Sequence, residues 1–163
     1  VQSWAQCLEF DELCLVPQLH CEGNWQHATI APRRTILDRL GALPTDTWFK
    51  TQDLIDDIYQ YQPDFLRSGA DYNTWIISST DPDARLLHGF EHWQDVEGQY
   101  IRFLIEEMLV DLGMVQTGQL TNQPESQVFQ IKPLFSKSLN PGKNSSCQKR
   151  TSRSWLAGME SSK

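Results

Sequence analysis

Three cysteines recur at intervals of seven, Cys7, Cys14 and Cys21, with His20 and His27 close by. Thiolates and imidazoles hold zinc when paired ligands are separated by two to four residues. An interval of seven does not fit that pattern. It would line three side chains along one helix face, and Pro17 interrupts any such helix. Buried or idle thiols are therefore the expectation, with a metal site and a disulfide as the weaker alternatives. His88 and His92 have the helical spacing of two metal ligands, but Gly89 lies between them and no third ligand suggests itself. Glu106 and Glu107 point to different sides of a helix and read as a solvated face. Glu97 is a candidate buried carboxylate beside aromatic residues, without a partner for catalysis. The sequence has no Gly-rich phosphate loop, dinucleotide fingerprint or nucleophile elbow. The expectation is a chain that is not an enzyme and uses no cofactor and no metal.

The remaining chemistry is that of charge. Residues 1–120 hold 7 Lys/Arg against 19 Asp/Glu, whereas residues 121–163 hold 7 against 2. A body this acidic repels phosphate backbones as a whole, so any nucleic-acid contact must come from a local patch or from the tail. Arg33, Arg34 and Arg39 form the best local cluster, joined by Lys132 and by Lys149 and Arg150 of the tail. Arg102 is the one arginine of the last predicted helix and is outnumbered there by acids. Any nucleic-acid binding is expected to be weak, salt-sensitive and indifferent to sequence, and to come from Lys143, Lys149, Arg150 and Arg153 of the tail.

The elements that would position these groups can be read along the chain. Its 163 residues suit about one domain. No apolar run approaches the ~20 residues of a membrane span. No signal peptide is evident, and the first residue is Val, which suggests a fragment or a processed product. A cytoplasmic location is expected, and the oligomeric state is left open. Residues 1–32, broken by Pro17, Gly23 and Pro32, read as a segment packed on the body or as the end of a preceding domain.

A domain over 33–135 follows. Thr35-Ile36-Leu37-Asp38 resembles a capping box and predicts a helix carrying Ile36, Leu37, Leu40 and Leu43, ended by Pro44. Trp48-Phe49 is extended. Thr51 is placed to cap a second helix whose stripe is Leu54, Ile55, Ile58 and Tyr61, stopping before Pro63. Residues 63–94 are irregular and aromatic, with a short strand near Trp75-Ile76-Ile77. Trp75, Phe90 and Trp93 are expected to form one structural cluster. The other reading, a platform for stacked bases, needs flanking cations that are scarce here.

Asp95 is placed to cap the longest helix, about 96–112. Its apolar face is Tyr100, Ile101, Leu104, Ile105, Met108, Leu109 and Leu112, and its polar face Glu97, Arg102, Glu106, Glu107 and Asp111. Gly113 ends it. Strands at 114–117 and 128–131 make a hairpin around a polar loop over 118–127. Residues 136–163 have the composition of a disordered basic tail.

Several stretches are familiar together: Trp48-Phe49, Pro63-Asp64-Phe65-Leu66-Arg67, Asp71-Tyr72-Asn73-Thr74-Trp75, Gly89-Phe90-Glu91-His92-Trp93, Val96-Glu97-Gly98 and Leu112-Gly113-Met114-Val115. Over about residues 35–135 the chain resembles a winged-helix region of large bacterial proteins of uncharacterised or helicase-associated type. The resemblance implies a mainly α, α+β fold: a winged helix with a small hairpin wing and an aromatic-rich insertion before the last helix. It also implies a non-catalytic module beside other domains. Two functions follow as expectations. One is a protein-interaction or scaffold module within a bacterial nucleic-acid-processing protein, serving a protein partner or a neighbouring domain. The other is DNA or RNA binding through Arg33, Arg34, Arg39 and the basic tail.

Overall fold

The computed structural model describes residues 2–22 and 29–133. The tail expected to be disordered, with Lys149 and Arg150, lies outside the described residues, as does His27. The architecture is α+β, with helices packed around two small antiparallel sheets.

The N-terminal segment is woven into the body. After α1 (Gln2–Ala5) and a 3-10 turn at Leu13–Leu15, β1 (Leu19–Glu22) pairs antiparallel with β3 (Ile76–Ser79) of the aromatic insertion. Leu13, Val16 and Leu19 enter the common core. β3 begins one residue beyond Trp75, and Trp75 itself is half-buried against that core.

The first long helix, α2, spans Ile30–Gly41 and so begins well before the predicted start at Thr35. Pro32 explains the difference. In the first turn of a helix the missing N–H of proline is one that would be unpaired anyway, so Pro32 opens the helix rather than breaking it. The longer helix adds Pro32 and Arg33 to a buried set that continues through Ile36, Leu37 and Leu40. A domain boundary between residues 32 and 33 falls inside this helix.

The short strand β2 (Trp48–Lys50) runs directly into α3 (Thr51–Tyr61). Leu54, Ile55 and Ile58 are buried as their spacing predicts, whereas Tyr61, in the terminal turn, is exposed. A tyrosine tolerates this because its hydroxyl end is at home in water. Thr51 does not cap the helix. Lys50 holds the cap position in extended geometry, and the Thr51 hydroxyl is buried without a hydrogen-bond partner among the described residues.

The last helix, α4, is continuous over residues 94–111. It contains π-helical turns at Gln94–Gly98 and Leu104–Met108, separated by the α-helical Gln99–Phe103 and finished by Leu109–Asp111. Asp95 lies inside its first turn instead of capping it, because Trp93 already has helical geometry. The predicted apolar face is buried at Tyr100, Ile101, Leu104, Ile105 and Leu109, and partly so at Met108 and Leu112. Glu97, placed by its spacing on the polar face but also named as a candidate buried carboxylate, is fully buried. Gly113, at φ +71°, closes the helix. Met114 N–H donates to Leu109 O and Gly113 N–H to Val110 O, the double bond pattern of a left-handed helix terminus.

Strands β4 (Val115–Leu120) and β5 (Gln123–Ile131) follow. They are longer than predicted, so the expected loop over 118–127 shrinks to a turn at Thr121 and Asn122 with a register shift at Leu120. Polar Gln and Thr residues continue a ladder readily where one face meets water. The sheet order is β2-β5-β4, with Phe49 opposite Phe129 and Phe129 opposite Thr117.

Candidate interaction surface

The fold decides which cations are accessible. Arg33 is not: it is fully buried beneath the N-terminal segment. Its Nε donates to Glu12 Oε1 at 2.6 Å and its Nη2 to Glu12 Oε2 at 3.0 Å. Nη1 donates to the carbonyls of Trp4, at 3.0 Å, and Cys7, and Nη2 to that of Phe10. All five guanidinium N–H groups are thus taken. The Trp4 ring covers the group at 5.4 Å, and Trp4 Nε1 donates to Glu12 Oε1 at 2.6 Å. A phosphate cannot reach this arginine, so it leaves the predicted nucleic-acid cluster.

The other candidate cations are more dispersed than the sequence suggests. Arg39 pairs with Asp57 of α3 at 3.0 Å. Arg102 contacts Glu106 at 3.4 Å and donates to Gln52 of α3 at 2.9 Å. Arg34 is exposed and shares with Leu8, Thr35, Asp38, Arg39 and Gln62 the wall of a cavity of about 620 Å³. Lys132 lies apart, just beyond the end of β5.

The aromatic insertion presents a better-organised surface. Trp93 is buried, anchored by Nε1 donating to Pro63 O at 2.9 Å. Tyr59 of α3 packs edge-on against it at 5.0 Å between centroids and stacks on Phe90 at 5.5 Å. Phe90 in turn meets the Tyr72 ring at 5.2 Å. Tyr59 thus links Trp93 to Phe90, Tyr72 borders Phe90 on its other side, and Phe90 is the outer edge of the assembly. Tyr59 and Phe90 are 41% and 42% exposed, so the stack faces solvent while its base is dry.

That base is a second buried ion pair. Arg67 is fully buried and donates through Nε and Nη2 to the two carboxylate oxygens of Glu97, at 2.6 and 2.7 Å. Nη1 donates to Tyr72 O at 3.3 Å, and the guanidinium lies 4.6 Å from the Tyr72 ring centre. The Tyr72 hydroxyl donates to Asp64. Burial pushes the Glu97 carboxyl up, against the hydrogen bonds and charge of Arg67, which hold it down. Burial, then the Asp64 hydrogen bond, pushes the Tyr72 phenol up as well. With both carboxylate oxygens taken, Glu97 has the geometry of a strut that fixes Tyr72 and α4 to each other. The sequence held the sign of this: Glu97 precedes Tyr100, Ile101 and Leu104 at helical spacings of three, four and seven.

The remaining candidate groups do not converge. Cys7, Cys14 and Cys21 fall on a loop, a 3-10 turn and a strand, so their regular interval has no common helix. Cys14 and Cys21 do lie side by side, and burial followed by the neighbouring Cys14 pushes the Cys21 thiol up to about 12. His92 Nδ1 contacts Asp95 at 2.9 Å, while Gly89, at φ +85°, turns the chain between His88 and His92. Among the described residues no group of three or more His, Cys, Asp or Glu side chains could hold a metal ion. No helix among them is long and apolar enough to cross a membrane.

Comparison with protein-family models, with curated proteins and with solved structures finds no match to this chain.

Proposed function

We propose that this chain is a winged-helix module acting through protein contacts within a bacterial nucleic-acid-processing protein, with the Tyr59–Phe90 stack as the contact surface. The winged-helix part rests on element order and pairing. Helix α2, strand β2, helix α3, helix α4 and the β4–β5 hairpin follow one another, and β2 closes the hairpin sheet by pairing with β5. The bacterial setting rests on the sequence resemblance. The observation that carries the functional part is the solvent-facing aromatic pair on a rigid, ion-paired base. Rigid aromatic rings lose little entropy on binding, and they are enriched among the residues that dominate protein interfaces.

Charge supports the same choice. The helix that would enter a DNA groove has its one arginine engaged by Glu106 and Gln52. The β4–β5 hairpin carries no Lys or Arg. Docking on nucleic acid requires several free cations on one face. The nucleic-acid reading keeps one observation in its favour, the exposed Arg34 at the cavity on α2.

The test uses the full chain and a Phe90→Ala variant. Affinity capture from a bacterial extract, read by mass spectrometry, should enrich a protein that the variant loses while its thermal unfolding stays close to wild type. Titration of a labelled duplex should show only weak, salt-sensitive binding. Tight duplex binding abolished by Arg34→Ala would overturn the proposal in favour of nucleic acid.

A further inference from the structure

The interval of seven between cysteines, which has no helix to serve, acquires a meaning in the folded chain. Cys14 lies in the 3-10 turn Leu13–Leu15, and Cys21 lies in β1. Between them the chain reverses. Val16 is extended, as a residue before proline prefers, and Leu19 N–H donates to Val16 O at 3.0 Å. This closes a tight turn around Pro17 and Gln18, where proline already holds the φ that the turn requires. Strand β1 therefore folds back against the 3-10 turn.

The reversal brings two thiols together. Cys21 Sγ lies 3.9 Å from the carbonyl oxygen of Leu13, the residue next to Cys14. The Cys21 thiol also donates to the Cys14 sulfur, so the two side chains touch. On its other side Cys14 Sγ donates to Asp11 Oδ2 at 3.6 Å. The two thiols differ in access. Cys14 is exposed to reagents in solution, whereas Cys21 is half-buried. An accessible thiol with a second thiol against it is the arrangement of an attacking and a resolving cysteine.

From this contact we infer that Cys14 and Cys21 are a reversible disulfide pair, closed by a small-molecule disulfide and reopened by a small-molecule thiol. The step balances. Cys14 gives its proton to solvent, and its sulfur attacks one sulfur of the reagent, releasing one thiol. Cys21, deprotonated in turn, attacks the Cys14 sulfur of the mixed disulfide and releases the second. Two protein thiols become one disulfide, and the reagent takes up the two electrons and two protons as two thiols.

Burial and then Asp11 push the Cys14 thiol up, and burial and then Cys14 push the Cys21 thiol up. Exchange needs thiolate, so the pair closes slowly and acts as a lock, not as a fast sensor. What it locks is the N-terminal segment. The closed loop begins two residues after Glu12, which holds Arg33, and ends in the strand that pairs with β3. A crosslink there restricts the unfolded chain between those two anchors. The inference does not depend on the Tyr59–Phe90 surface, and either can fail alone.

The experiment treats the full chain with oxidised glutathione, quenches with iodoacetamide and cleaves after glutamate. Cleavage after Glu12 and Glu22 releases residues 13–22 as one fragment carrying Cys14 and Cys21 without Cys7. That fragment should be lighter by two hydrogens and carry no alkyl group. Dithiothreitol before the quench should restore alkylation at both cysteines. The oxidised chain should unfold roughly 5–10 °C above the reduced one, the effect of closing a loop of this size. Cys14→Ser should lose both the mass change and the thermal shift, and Cys7→Ser should keep both. A reaction that stops at glutathione attached to Cys14 overturns the inference. So does a crosslink that runs through Cys7 or Cys147, or a closed pair that leaves thermal unfolding unchanged.

Discussion

Two buried arginines hold this molecule together, in two different ways. Arg33 is enclosed by the N-terminal segment: Glu12 takes two of its N–H groups and three main-chain carbonyls take the rest. Arg67 ties an irregular insertion to α4: Glu97 takes two groups, one carbonyl a third, and the Tyr72 ring covers its face. The first pair organises a loop around a cation, and the second organises aromatic rings around a pair. In the first region backbone conformation depends on the charge. In the second, surface geometry does, because Tyr72 borders Phe90. A buried charge can thus shape either the path of the chain or the face it offers.

The difference predicts how each region breaks. Glu12→Ala strands Arg33 and removes what orders residues 4–12. Glu97→Ala strands Arg67. Each should cost about 3–5 kcal/mol, the usual penalty for leaving a buried charge unpaired. Chemical denaturation measures both. Limited proteolysis separates them: Glu12→Ala should open cleavage in the N-terminal segment, and Glu97→Ala in residues 63–92. Cleavage at the same places in both variants would erase the distinction.

Within the insertion, Trp93→Ala should also cost about 3–5 kcal/mol, because it empties a dry site under the stack. Phe90→Ala, at the wet edge of that stack, should cost about 1 kcal/mol or less. Equal losses would mean that Phe90 is as structural as Trp93 and that the proposed contact surface is part of the core.

A smaller effect concerns acid. The folded-state Glu97 carboxyl is raised above its ordinary value, with burial the largest cause. Its contribution is therefore full below the unfolded-state value and is lost as pH rises through the folded one. The stability of wild type minus that of Glu97→Gln should fall as pH rises above the ordinary carboxylate value of about 4. A rise would show that attraction to Arg67 outweighs burial. The smallest effect belongs to the surface: Arg102→Ala should change stability by at most about 0.5 kcal/mol, a typical value for a helical surface pair.

Much of the fold was legible in spacing alone. Leu54, Ile55 and Ile58, the long stripe from Tyr100 to Leu109 and the glycine stop at Gly113 follow from helical period and from the conformational freedom of one residue. They are local, and local geometry is what a sequence encodes directly. The acidic body and its mismatch with a phosphate partner follow from composition. The buried charges were half legible. Arg33 stands three, four and seven residues before Ile36, Leu37 and Leu40, as Glu97 does before Tyr100, Ile101 and Leu104. Starting α2 at Thr35 hid the first pattern; the second was legible as far as Glu97 being a candidate buried carboxylate, but not as far as its arginine partner.

Tertiary structure alone decided the partners. Glu12 lies 21 residues from Arg33, and Arg67 lies 30 from Glu97. Nothing local distinguishes these acids from the others in so acidic a chain. Burial selects them, because a guanidinium leaves water only where a carboxylate and carbonyls are already placed to receive it. The same long-range packing sank Trp93 and left Phe90 at the surface, although the two rings are three residues apart in the sequence.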